Sequence, residues 1–186
     1  LPGWTVDCCV TSISQLAARC YARWYAARTG FPWRLPWESE WEKAARGVDG
    51  RRFVMGDHID PAWAEVRDSS PDEAPRPIGT YAEDVSVYGV RDLSGGAGGW
   101  CLDRYDQARM KIRDGIPILT EAREDDRAVM RGGFRTAPRD ICLTWFRHAV
   151  PVKKPSIRVG FRLVRSIEPL SDPSPRGAFD LKKLAN

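Results

Sequence analysis

Histidine is nearly absent: the 186 residues hold two, His58 and His148, in distant segments. A three-histidine iron site cannot be assembled from them. There is no Ser-His-Asp order, no nucleotide-binding glycine loop and no Cys-x-x-Cys pair of the kind that holds zinc. No apolar run approaches the roughly 20 residues that span a bilayer, which argues against a membrane partner. The opening residues do not read as a signal peptide. Repeats and low-complexity tracts are missing too. Neither charge sign dominates, with 29 basic and 25 acidic residues mixed along the chain for a net +4. That pattern reads as a solvated surface and excludes a nucleic-acid partner on charge grounds. Cysteine is present as an odd five without framework spacing. Reduced thiols and a cytoplasmic location are therefore expected. Cys8 and Cys9 are adjacent and would bridge each other only with strain. Cys20 and Cys101 read as small buried hydrophobes.

What is there suits one globular domain: 42% hydrophobic residues and eight tryptophans. Ser14 to Arg28 predicts a helix, with Leu16, Cys20, Trp24 and Ala27 as its apolar stripe. Ser12 or Ser14 caps its start and Gly30 lies past its end. Pro36 to Arg46 predicts a second helix, with Trp41, Ala44 and Ala45 inward and Gly47 as the stop. Glu38, Glu40 and Glu42 suit its start, and Lys43 and Arg46 its end. Trp37 stands where a capping Thr would suit, and losing such a cap costs about 1 kcal/mol. Its ring is therefore expected to pack, on Trp33 or Trp63. Beyond Gly47, Asp68 to Pro77 reads as an exposed loop, Gly95 to Gly99 as a mobile turn and Met110 to Asp126 as a surface excursion. Short strands are expected at 129–131, 142–147 and 159–164. Gly132-Gly133 reads as a close approach of two backbones, since no helix start or Lys follows to make a phosphate cradle. The whole is an α+β reading, a domain over residues 1–168 followed by a tail over 169–186.

Several of these segments carry a resemblance. Arg34-Leu35-Pro36 leads into Glu40-Trp41-Glu42-Lys43-Ala44-Ala45-Arg46-Gly47. Tyr88-Gly89-Val90-Arg91-Asp92-Leu93-Ser94-Gly95 follows, and then Met130-Arg131-Gly132-Gly133 and Gly160-Phe161-Arg162-Leu163-Val164-Arg165. In this order and spacing they resemble the formylglycine-generating-enzyme, or sulfatase-modifying-factor, family. The stretch from Gly47 to Trp63 looks most like members fused to bacterial serine/threonine kinases. The resemblance implies a C-type-lectin-like α+β fold: two helices, a small twisted antiparallel sheet and long irregular loops. The family's usual opening strand segment has no counterpart here, so another chain is expected to supply it.

Two departures bear on function. The resemblance places the family's paired copper(I) cysteines at positions 137 and 142, and this chain has Ala137 and Cys142. Soft thiolates suit copper(I), but one cannot form a linear two-sulfur site. Cys142 is catalytic only if the domain is active, with Cys101 the nearest guess for a second thiol. The resemblance also implies a calcium site from Asp92 and the carbonyls of Gly95 and Ala97, weakened because Gly99 replaces the carboxylate ligand. The segment after Gly133 is the family's exposed face beside the substrate groove. Phe134, Arg135, Thr136, Arg139, Trp145, Arg147 and His148 are its candidate ligand-binding residues, Arg and Trp being frequent hot-spot types. Three functions follow from the resemblance. One is a catalytically silent module that binds a peptide or protein within a larger bacterial regulatory protein. Another is a copper-dependent oxidase that converts peptidyl cysteine to formylglycine. The third is a retroelement-diversified receptor, variable after Gly133.

Overall fold

A computed structural model of the chain describes residues 5–69, 74–107, 112–113 and 116–165, without the side chains of 112–117. The expected tail over 169–186 and the boundary at 168 lie outside the described residues.

The first helix, α1 (Gln15–Thr29), begins where Ser14 turns extended and its Oγ accepts the Ala17 N–H at 3.2 Å. It ends at Gly30 in the left-handed region, φ 74°. Its buried face keeps only part of the expected stripe: Leu16 packs on the main core and Cys20 is half-buried. Gln15, Ala18 and Ala22 point inward, whereas Trp24 is 51% exposed and Ala27 is exposed. Small residues let the helix lie close on the sheet, and Gln15 donates its Nε2 to the Cys101 carbonyl at 2.7 Å. That approach leaves the large rings on the outside.

The second helix, α2 (Glu38–Arg46), buries Trp41 and Ala45 and half-buries Ala44. The capping side chain that Trp37 cannot provide comes from elsewhere in the chain. Asp103 Oδ2 accepts the Glu38 N–H at 2.5 Å, and Glu40 Oε2 accepts the Trp37 N–H at 2.8 Å. The Trp37 ring packs on the main core around Leu35 and Trp100. It does not pair with Trp33, which meets Tyr25 at 5.3 Å, or with Trp63, which meets His58 at 5.8 Å.

The strands are β1 (Gly98–Arg104), β2 (Ile112–Arg113), β3 (Ile116–Pro117), β4 (Arg127–Arg131), β5 (His148–Pro151) and β6 (Val159–Gly160). Four of them form a small sheet in the order β5-β4-β1-β6, and β2 and β3 pair separately. The pairs β1–β4 and β4–β5 are antiparallel, while β6 joins β1 in parallel, so the sheet is mixed. This is the expected α+β architecture, corrected in one respect: the sheet was expected to be antiparallel, and β6 joins it in parallel.

The sequence reading of the strands needs three corrections. Gly98 and Gly99 open the central strand β1 instead of closing a mobile turn. A Cβ on Gly98 would meet Met130 Sδ at 2.6 Å and the Gly133 carbonyl at 2.9 Å, so close packing outweighs glycine's poor strand preference. Residues 142–147 are not a strand. A short 3-10 turn, Arg139–Cys142, and a further turn carry them, and the strand starts at His148. The strand at 159–164 stops at Gly160, after which Val164 pairs with Arg34 alone. The close approach read at Gly132-Gly133 is present: a Cβ on Gly132 would lie 2.7 Å from the Leu93 carbonyl.

Candidate functional site

Cys142, at the end of the 3-10 turn, is fully buried among Phe53, Ile59, Ala64 and Val66. Burial, and then the nearby Asp84, push its thiol up to about 12. Ala137 is 1% exposed. Cys101 lies in a different apolar cluster, with Trp41, Val54 and Val129, and burial raises its thiol well above the ordinary value. All five cysteines are free. A copper(I) ligand must be a thiolate, and a lone thiol sealed in hydrocarbon resists becoming one. The residues at 137 and 142 therefore do not fit a two-sulfur copper site.

The seven residues expected to bind a ligand divide into groups. Phe134 packs on the main core, with the Arg158 guanidinium 4.8 Å from its ring. His148, in β5, lies 4.7 Å from the Phe146 ring, and burial, then Arg158, lower its pKa. Arg147 forks onto Glu38 at 2.6 and 2.8 Å, donates to the Asp106 carbonyl at 2.8 Å and lies over Tyr105. Trp145 carries the Arg46 guanidinium over its ring at 5.5 Å. The Arg135 N–H donates to the Gly96 carbonyl at 3.0 Å. The Thr136 carbonyl accepts from Arg67 Nε at 3.1 Å, and Arg139 reaches the Ile59 carbonyl at 3.4 Å.

Beneath Arg147 lies an ion-pair lattice whose geometry the sequence did not foretell. Arg131, on β4, is 1% exposed. It donates to Glu38, to Glu42 at 2.8 Å and to the Thr144 carbonyl, and its guanidinium lies 5.1 Å from the Trp41 ring. One glutamate, Glu38, thus ties α2 to both β4 and the Arg147 turn.

A cavity of about 430 Å³ opens beside the Gly95–Gly99 turn. Asp92, Gly95 and Ala97, the expected calcium residues, line one part of it together with Gly99. Asp92 Oδ2 accepts the Gly79 N–H at 2.9 Å, and Arg162 donates to the Asp92 carbonyl at 2.8 Å. Asp84, also on the wall, is 2% exposed. Its Oδ2 accepts the Ser94 N–H at 2.8 Å, but its Oδ1 has no hydrogen-bond partner. Burial pushes the Asp84 carboxyl up to about 7. Glu65, at the other end, is raised by burial too, and Arg135 lies within electrostatic reach of it. Arg162 sits in the field of both Asp84 and Asp92. Its fixed positive charge opposes a bound divalent cation, and among the described residues no group of three acidic, histidine or cysteine side chains is placed to hold a metal. The turn fits calcium poorly. Nothing in the sequence signalled Asp84, because only the fold carries it to Ser94.

Residues 6–167 match the family model described as the sulfatase-modifying factor enzyme 1-like domain. No curated protein matches the chain. Among solved structures it is similar to PvdO from Pseudomonas aeruginosa, with a TM-score of 0.70 and 21% identity over 85% of this chain and 62% of that one. CarF is similar with a TM-score of 0.64 and 20% identity, over 86% of this chain and 67% of CarF. Treponema denticola variable protein 1 gives 0.55 and 24%, over 70% of this chain and 46% of its own length. The chain thus spans less than two thirds of PvdO and of the variable protein, and at these identities the likeness concerns the fold.

Proposed function

We propose that this chain, which belongs to the sulfatase-modifying factor enzyme 1-like family, is a binding module and not an oxidase, and that it takes a peptide or protein ligand on the surface between Phe134 and His148. The observation that carries the reading is the thiol pair. Cys142 is sealed in an apolar cluster with its proton held, and the second position is a buried Ala137. Copper(I) would need two thiolates there to bring oxygen chemistry to a peptide cysteine. Binding needs less. Arg135 lies within electrostatic reach of Glu65, and Arg135, Arg139 and Trp145 present half-buried side chains of the types that dominate protein interfaces. Phe134 and Arg147 hold that surface in place from beneath. The wording of Gly47 to Trp63 supports a setting in a larger, kinase-linked bacterial regulator.

The test is mass spectrometry of a Cys-x-Pro-x-Arg peptide incubated with the protein, copper(I) and oxygen. Unchanged cysteine is expected for the wild type. Conversion to formylglycine would overturn the reading in favour of the oxidase.

A further inference from the structure

The outer face of α1 carries an exposed aromatic cluster that the proposed ligand site does not use. Tyr21 is 44% exposed and Trp24 51%. Their rings lie 5.5 Å apart, Tyr21 stacks on Tyr25 at 6.1 Å and meets Phe161 at 5.5 Å, and Tyr25 meets Trp33 at 5.3 Å. The result is a continuous aromatic ridge on the solvent side of a helix whose inward face is small residues. Exposing rings in this way costs solvation, and contiguous apolar surface on a folded domain marks a place where something docks.

The helix's own charges have one sign. Gln15–Thr29 contains Arg19, Arg23 and Arg28 and no acidic residue. Arg19 is paired with Glu121. Arg28 lies over the Trp24 ring at 5.7 Å, and Arg165 over Phe31 at 4.2 Å and Trp33 at 5.3 Å. No ion pair among the described residues engages Arg23, Arg28 or Arg165. Aromatic rings beside unneutralised guanidinium groups match a partner with apolar anchors among carboxylates.

We propose that this ridge binds an acidic peptide segment of a partner protein, its leucine, phenylalanine or tryptophan side chains on Tyr21 and Trp24 and its carboxylates on Arg23 and Arg28. A single-stranded nucleic acid is disfavoured because base stacking needs open ring faces. Here Tyr21 stacks on Tyr25, and Trp24 lies under the Arg28 guanidinium. A bilayer is disfavoured because two half-exposed rings on a helix docked to its own core bury too little area in the interface.

The test is selection of a random peptide phage library on the intact protein. The expected winners combine Asp or Glu with Leu, Phe or Trp. A synthesised winner should quench tryptophan fluorescence and weaken with added salt. It should lose roughly tenfold or more in affinity in Trp24→Ala and in Arg28→Glu. Both positions are exposed, so circular dichroism should match the wild type. Three results would overturn the proposal: no enrichment, winners indifferent to both variants, or winners lost in Trp145→Ala but kept in Trp24→Ala. Binding of oligothymidylate or phosphatidylserine vesicles that depends on Trp24, with no acidic peptide selected, would overturn it as well.

Discussion

The domain holds two buried charged regions, and they are built in different ways. Around Arg131 the charges are paired, although its Nε has no hydrogen-bond partner: Glu38 accepts from Arg131 and Arg147, Glu42 from Arg131, and a backbone carbonyl takes a further guanidinium N–H. Around Asp84 they are not. One carboxyl oxygen has no partner, Arg162 donates to backbone carbonyls instead of to the acids, and the space beside them is open. A paired lattice beside packed side chains holds elements together. An ionisable carboxyl left half-satisfied beside open space is costly to keep buried, and its charge state is set by that burial.

The largest test of this contrast is Arg131→Ala. It leaves the buried Glu38 to Arg147 alone and the part-exposed Glu42 to Arg46, and should destabilise the domain by about 3 kcal/mol, measured by urea unfolding. A loss of less than about 1 kcal/mol would mean that the lattice is not what joins α2 to the sheet. Asp84 gives the next effect, through pH. Its folded-state carboxyl, at about 7, lies above the ordinary 3.8, so the folded chain holds the proton more tightly than the unfolded chain. Its contribution to stability is therefore complete below the unfolded value and lost as pH rises from about 4 to about 7, with a slope of up to about 1.4 kcal/mol per pH unit. Asp103, raised by burial to about 6, acts in the same direction over a narrower range. Asp84→Asn should flatten the pH dependence of unfolding and stabilise the protein at pH 8. An unchanged slope would show that Asp84 is solvated after all. The smallest effect belongs to Asp103→Ala, which removes the remote cap from Glu38 and should cost about 1 kcal/mol at about pH 5, below the range in which its raised carboxyl ionises in the fold. No change would leave the start of α2 to Glu40 alone.

How much of this was legible follows from the range of each interaction. Ser14, Gly30 and Gly47 mark helix ends through neighbours within one turn, and they were readable. The inward face of α1 was not. Leu16 does pack on the core, but the most deeply buried positions are Ala18 and Ala22 and Trp24 faces outward, and only tertiary packing decides between the faces. Strand β1 was hidden because its first residues are glycines selected by the Met130 and Gly133 contacts. The cap on α2 comes from Asp103, which no local pattern connects to Trp37. At the candidate site, the grouping of Asp92, Gly95 and Ala97 came through family resemblance, whereas Asp84 and Arg162 join them only in three dimensions. Arg147 was singled out from its residue type, and its engagement with Glu38 depends on a partner 109 residues away.

The central claim is that Cys142 is a core thiol and not a metal ligand, and copper(I) titration of the native protein against a competing chelator tests it most directly. The account predicts no tight copper(I) binding that depends on Cys142, together with protection of Cys142 from iodoacetamide until the chain unfolds. Stoichiometric copper(I) binding that disappears in Cys142→Ala would contradict it.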